Sequence, residues 1–215
     1  MTNENQRVRA ATLLRELGHD FVSRDLNDEQ LASVNARLEE LSKIVGGGAL
    51  RSRTIARGSL ANFKMAVPAE GQVEKHQLFS DSIVSGGANP MGLGGFLWRE
   101  GTNALMEVTL GKAFEGAPGR AHGGIVAALI DETMGLVLAI NDVLAFTVQL
   151  DITYIAPTPI NTPIIARAWL EEQNGRKLSI AAVVTASDTE IAKATALFIS
   201  VDPEKFLKHL ASLDS

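Results

Sequence analysis

Apolar positions follow a helical period in the N-terminal part of the chain and a period of two in the C-terminal part. Val8, Leu13, Leu14, Leu17 and Phe21 predict a helix from Arg7 to about Asp25. Asn27 followed by Gln30 has the form of a capping box, and Leu31, Val34, Leu38, Leu41 and Val45 keep an a/d spacing for about two heptads after it. That run is too short for a coiled coil. It predicts a helix packed on a domain or on a partner subunit, ended by Gly46-Gly47-Gly48. Residues 49–92 are polar and mixed, then rich in Gly and Pro in SGGANPMGLGG, and read as an irregular linker or wrap.

Beyond residue 92 the pattern sharpens. Gly95–Glu100 and Ala104–Leu110 predict two strands, and an apolar helix spans about Gly123 to Ile140. Four further strands are predicted at Leu144–Ile155, Pro163–Gln173, Arg176–Ala186 and Glu190–Val201, with Asn174-Gly175 as a hairpin turn. Asp202-Pro203 gives an N-cap and a first-turn proline for a short helix ending near Leu213. One helix that is apolar nearly all round, amid about six mostly antiparallel strands, implies a sheet wrapped on that helix. A single curved sheet covers only part of it, and a second subunit is the simplest remaining cover. The expected division is 1–48 helical extension, 49–92 linker and 93–215 α+β domain.

The 215 residues are 46% hydrophobic and 21% charged, with net charge −5, so no basic surface is offered to nucleic acid. With no cysteine, disulfides, thiolate zinc sites and a Cys nucleophile are excluded. No run reaches about 18 uninterrupted apolar residues, and MTNENQRVRAATLL lacks a signal-peptide core; a cytoplasmic protein without a membrane span is the expectation.

Against this background the run GAPGRAHGGIVAALIDETMG stands out, because it puts Asp131-Glu132 in the middle of an apolar helix. A buried carboxylate without partners costs several kcal/mol or shifts its pKa. On a 100° wheel Gly124, Ala127, Ala128, Asp131 and Gly135 share one stripe of small residues, so a ligand or another backbone can approach Asp131 there. The bland reading is close helix–sheet packing with Asp131 satisfied locally. Glu132 points about 100° away, toward Leu129 and Leu136, and is the second candidate. At the helix entrance the N–H groups of Gly123 or Gly124 suit a developing oxyanion, whereas His122 beside them is more often a cap than a proton shuttle.

In the strand AFTVQLDITY, Phe146, Val148, Leu150, Ile152 and Tyr154 alternate with a polar face that includes Thr147. Thr147 is therefore expected to point away from its own helix, and a pocket contact needs a bulge or a partner subunit. Arg176 and Lys177 after the hairpin turn either meet phosphates or are simply solvated. His19, His76 and His209 lie far from His122 in sequence, and nothing has metal-ligand spacing. There is no GxSxG elbow, P-loop or dinucleotide fingerprint.

The same run, followed by FTVQLDITYIAPTP, NGRKLSIAA and ATALFISVD, resembles the hotdog-fold acyl-CoA thioesterases of the PaaI-like branch, over about Leu93 to Val201. The resemblance implies a hotdog fold, with the long helix as sausage and the sheet as bun, in homodimers that often stack into tetramers, with sites at the interface. It implies that Asp131 is the catalytic carboxylate and that the Gly123 N–H polarises the thioester carbonyl, with His122 beside it. Thr147 then helps place the attacking water from the partner subunit. Gly116 stands where some relatives have an Asn six residues before the His. The N-terminal helices lie outside the resemblance.

The expected activity is hydrolysis of an acyl-CoA to acid and CoA, with Asp131 as general base or nucleophile. Gly124, Arg176 and Lys177 are expected to bind substrate, with no metal and no cofactor beyond the substrate's CoA. The alternatives are a hotdog acyl-thioester hydratase or dehydratase, and a non-catalytic acyl-CoA-binding module.

Overall fold

The predicted strands form where alternation places them. In the computed structural model, which describes residues 2–50, 67–70, 79–206 and 208, they are β1 (Phe96–Glu100), β2 (Asn103–Thr109), β3 (Ala145–Tyr154), β4 (Pro163–Asn174), β5 (Lys177–Ala186) and β6 (Thr189–Ser200). They build one sheet in the order β1-β2-β4-β5-β6-β3, with every neighbouring pair antiparallel. β1 and β3 are its edges. The hairpin turn lies one residue beyond the expected dipeptide. Asn174 pairs with Lys177, leaving Gly175 and Arg176 as the central residues, and Gly175 has φ +58°, as a type II′ turn requires at its first central position.

Among the described residues α1 (Asn3–Ser23), α2 (Asp28–Gly46) and α3 (Gly123–Ile140) accompany the sheet. The capping box of α2 is complete, with the Gln30 N–H donating to Asn27 Oδ1 at 2.9 Å and the Asn27 N–H donating to Gln30 Oε1 at 3.0 Å. α3 lies against β2, β3, β4 and β5 and buries Val126, Leu129, Ile130, Met134 and Val137 completely. Facing them are Met106, Ile164, Leu178, Ile180 and Phe198. Each such aliphatic side chain contributes roughly 1.5–3 kcal/mol on leaving water. By length and composition α3 is apolar enough to cross a membrane, yet half of it is buried within the fold, against the sheet. This is the expected hotdog arrangement of the α+β class.

Arg51, Arg53 and Arg57, which stand close together in the sequence, fall outside the described residues, as do His76 and His209. At the C-terminus residues 203–206 are helical, and Asp202 Oδ1 caps them by accepting the Glu204 N–H at 2.9 Å. The expected end of that helix near Leu213 also lies outside the described residues.

Candidate active site

The parity of β3 decides what reaches Asp131. Thr147 pairs with Phe198 and Gln149 with Leu197, so Val148 is an extra residue bulged out of the ladder. Beyond the bulge Leu150 and Ile152 pack on the core; before it Ala145 and Thr147 take the inward side. The Thr147 hydroxyl donates to Asp131 Oδ1 of the same chain at 2.9 Å. This corrects both the alternation reading, which sent Thr147 outward, and the partner-subunit origin implied for it. Period-two counting fails because a bulge inverts every position before it.

Asp131 is half-buried at the mouth of a cavity of about 300 Å³. Ala128 and Gly135 line it on the α3 side, as the small-residue stripe requires, and Phe79, Ile83 and Phe146 close the other sides. A Cβ on Gly135 would meet nothing within 4 Å. Asp131, Glu132 and Thr147 are the polar members of an otherwise apolar lining, a composition common in small-molecule sites.

Glu132 has a different fate. Its Oε2 accepts from the Ser82 hydroxyl, and its Oε1 accepts the Ser85 N–H at 2.9 Å. Ser82 Oγ in turn accepts the Val84 N–H at 3.2 Å. Glu132 is thus occupied in clasping the 79–95 loop to α3. Ser82 and Ser85 sit in a stretch whose sequence reads only as loop, and nothing local marks them.

The helix entrance resolves which glycine N–H is free. The Gly124 N–H donates to His122 Nδ1 at 3.0 Å, and those of Ile125 and Val126 donate to the His122 carbonyl. Among the described residues nothing accepts from the Gly123 N–H. Gly124 is therefore removed as an oxyanion donor and Gly123 remains. His122 is the N-cap of α3. The Tyr154 hydroxyl donates to the Gly123 carbonyl at 2.8 Å and lies 3.2 Å from where a Cβ of residue 123 would stand. At Gly116 a Cβ would come 2.9 Å from His122 Cα, so this tight turn has no room for the Asn of some relatives. Glu115 secures the turn. Hydrogen bonds from Lys112, then from the Gly119 N–H, hold its carboxyl below the usual carboxylate range.

Arg176 Nε donates to the Ser200 carbonyl at 2.9 Å. Lys177 is in register with Ile199, and Ile199 with Phe146, so the hairpin end stands two strands, about 10 Å, from Phe146 in the cavity wall. Among the described residues no group of three or more His, Asp or Glu is placed to hold a metal ion.

Residues 118–193 match the family model described as Thioesterase superfamily. Acyl-coenzyme A thioesterase THEM4 of Mus musculus is 40% identical over 97 residues, which are 44% of this chain and 42% of that protein. Acyl-coenzyme A thioesterase THEM5 of Homo sapiens is 29% identical over 97 residues, 44% of this chain and 39% of that protein. The chain therefore spans about two-fifths of the length of the curated relatives it matches. A crystal structure of a thioesterase superfamily protein superposes with a TM-score of 0.73 at 23% identity, covering 90% of this chain and 94% of that one. At that identity the likeness concerns the fold.

Proposed function

We propose that this chain, whose residues 118–193 match the Thioesterase superfamily model, hydrolyses acyl-CoA thioesters to a carboxylic acid and CoA. The observation that carries the reading is the Thr147–Asp131 hydrogen bond at the mouth of the apolar cavity. Asp131 acts on the thioester, either by taking a proton from water or by attacking the carbonyl carbon itself. Thr147 holds the carboxylate by donating to Oδ1, leaving Oδ2 for water or substrate. In the base route the deprotonated water adds to the carbonyl, and loss of the thiolate gives acid and CoA directly. In the nucleophilic route loss of the thiolate leaves an acyl–Asp131 anhydride, which water hydrolyses to the acid and free Asp131. No cofactor beyond the substrate's own CoA is required.

The oxyanion donor must come from elsewhere. Eight positions separate Gly123 from Asp131 on α3, about 12 Å of helix. One chain cannot bring both groups to one carbonyl, whose reacting atoms must lie within about 3 Å of each. A second copy with its α3 antiparallel supplies the missing half. β3 is the edge to join: a ten-residue strand on which Phe146, Val148 and Tyr154 are 45%, 57% and 50% exposed. A long apolar edge of this kind pairs with another strand, and a two-fold axis closes the pair. On this reading Arg176 and Lys177, two strands from Phe146, take the phosphates of CoA.

Thiol release from a panel of acyl-CoAs tests the reading, together with molar mass in solution. A dimer that liberates CoA supports it, and a protein that binds CoA esters without releasing thiol sinks it.

A further inference from the structure

The N-terminal helices lie outside the hotdog core, yet α1 touches the two segments that build the opposite halves of the site. Its first contact is with the cavity wall. Arg15 Nη1 donates to the Gly87 carbonyl at 3.1 Å and to the Asn89 carbonyl at 2.6 Å, while Arg15 Nη2 donates to Thr12 Oγ1 at 3.0 Å. Those carbonyls belong to the 79–95 loop. The Ala88 N–H donates to the Ser80 carbonyl at 2.7 Å and the Leu93 N–H to the Ile83 carbonyl at 3.1 Å, so the loop is tied across its own width. Its inner side puts Phe79 and Ile83 into the Asp131 cavity, and Glu132 clasps it from α3. Arg15 pulls on the outer side of the same loop.

The second contact, one turn along α1, is with the oxyanion turn. His19 Nδ1 accepts the Ala113 N–H at 3.0 Å, and its ring meets Phe114 edge-on at 5.2 Å. Gly111 allows this close approach, since a Cβ there would lie 2.6 Å from His19 Nδ1. The Phe114 carbonyl accepts the N–H of His122 at 2.9 Å, and His122 caps the helix at whose first position Gly123 sits. The Lys112–Phe114 turn is thus held between His19 on one side and His122 on the other.

We propose that α1 is a strap whose Arg15 sets the acyl-pocket wall and whose His19 sets the Gly123 turn, both acting as positioning residues. This rests on the reading of Asp131 and Gly123 as parts of a thioester site. The two arms have different consequences. A wall that drifts loosens the grip on the acyl chain, whereas a turn that drifts misaims the oxyanion donor, and a displacement of about 1 Å there is felt in turnover.

The test uses the full chain with the variants Arg15→Ala, Arg15→Lys, His19→Ala and His19→Asn. Steady-state thiol release across acyl-CoA chain lengths is read beside amide hydrogen exchange. Arg15→Ala is expected to raise KM about tenfold and flatten the chain-length preference, because a two-carbonyl cationic hydrogen bond is lost. Arg15→Lys, which keeps the charge, recovers part of the loss. His19→Ala is expected to lower kcat about tenfold with little change in KM. His19→Asn, which offers an acceptor near the Nδ1 position, restores much of it. Exchange should quicken at Ser85 to Leu93 in the first case and at Ala113 to Gly124 in the second, with β5 unchanged.

Wild-type kinetics and exchange in both alanine variants would overturn the proposal. So would equal changes of KM and kcat in both with protection lost throughout the chain. If Arg15→Ala does not fold, Arg15→Lys is read in its place by the same criteria. If wild type releases no thiol from any acyl-CoA, the proposed function has failed, and the exchange pattern alone decides the strap.

Discussion

Thr147 reaches Asp131, at 2.9 Å, because Val148 is squeezed out of the β3–β6 ladder. Removing the hydroxyl should leave Asp131 in place but poorly oriented. Thr147→Val is expected to lower kcat by about 10- to 100-fold, with Thr147→Ser close to wild type. Deleting Val148 should restore regular pairing and turn Thr147 to the outer face, producing the same kinetic loss. Thiol-release kinetics on the three variants checks this; a fully active Thr147→Val would remove Thr147 from the site.

Glu132 is a neighbour of Asp131 with the opposite role. Glu132→Ala leaves the Ser85 N–H without its acceptor, in a loop where Ser85 is fully buried. The expected cost is about 1–3 kcal/mol, read as a lower Tm and a lower urea midpoint. Glu132→Gln keeps one acceptor oxygen and should lose less.

Stability should also depend on His19. Burial, then the charge of Arg15, holds its pKa below the usual 6.5, and Asp20 opposes them only partly. The unfolded chain therefore takes up the proton first as pH falls. The contribution is complete above 6.5 and is lost as pH drops through the window between 6.5 and the lower folded value. Urea midpoints of wild type and His19→Asn across that window should converge toward acid pH. Parallel curves would show that His19 does not titrate with folding.

Gly135 faces open space in the cavity. Gly135→Ala should therefore stabilise α3 by about 0.5–1 kcal/mol through helix propensity alone. Gly135→Phe fills the cavity instead and should shift the acyl-CoA preference to shorter chains. An unchanged chain-length profile in Gly135→Phe would place the acyl group elsewhere.

The elements and the position of Asp131 among small residues were legible in the sequence because both depend on periodicity. α3 begins and ends at the expected residues, and the stripe of Ala128, Asp131 and Gly135 does line the cavity. What escaped is what periodicity does not encode. The Val148 bulge inverts the face of Thr147, and no residue type announces it. Ser82, Arg15 and His19 act through contacts distant in sequence, 50, 74 and 94 positions for the Glu132, Asn89 and Ala113 bonds. The residue pattern alone does not separate Gly123 from Gly124, the resemblance points to Gly123, and the His122 ring takes the Gly124 N–H.

The most direct measurement is turnover of Asp131→Asn on the best acyl-CoA substrate, beside its thermal melt. Asn keeps the shape and can still accept from Thr147, so Tm should stay near that of wild type. Turnover should fall by at least about 10²-fold, because the amide neither takes a proton nor attacks a carbonyl. A folded Asp131→Asn protein that releases thiol at the wild-type rate would contradict the assignment of the site to this carboxylate.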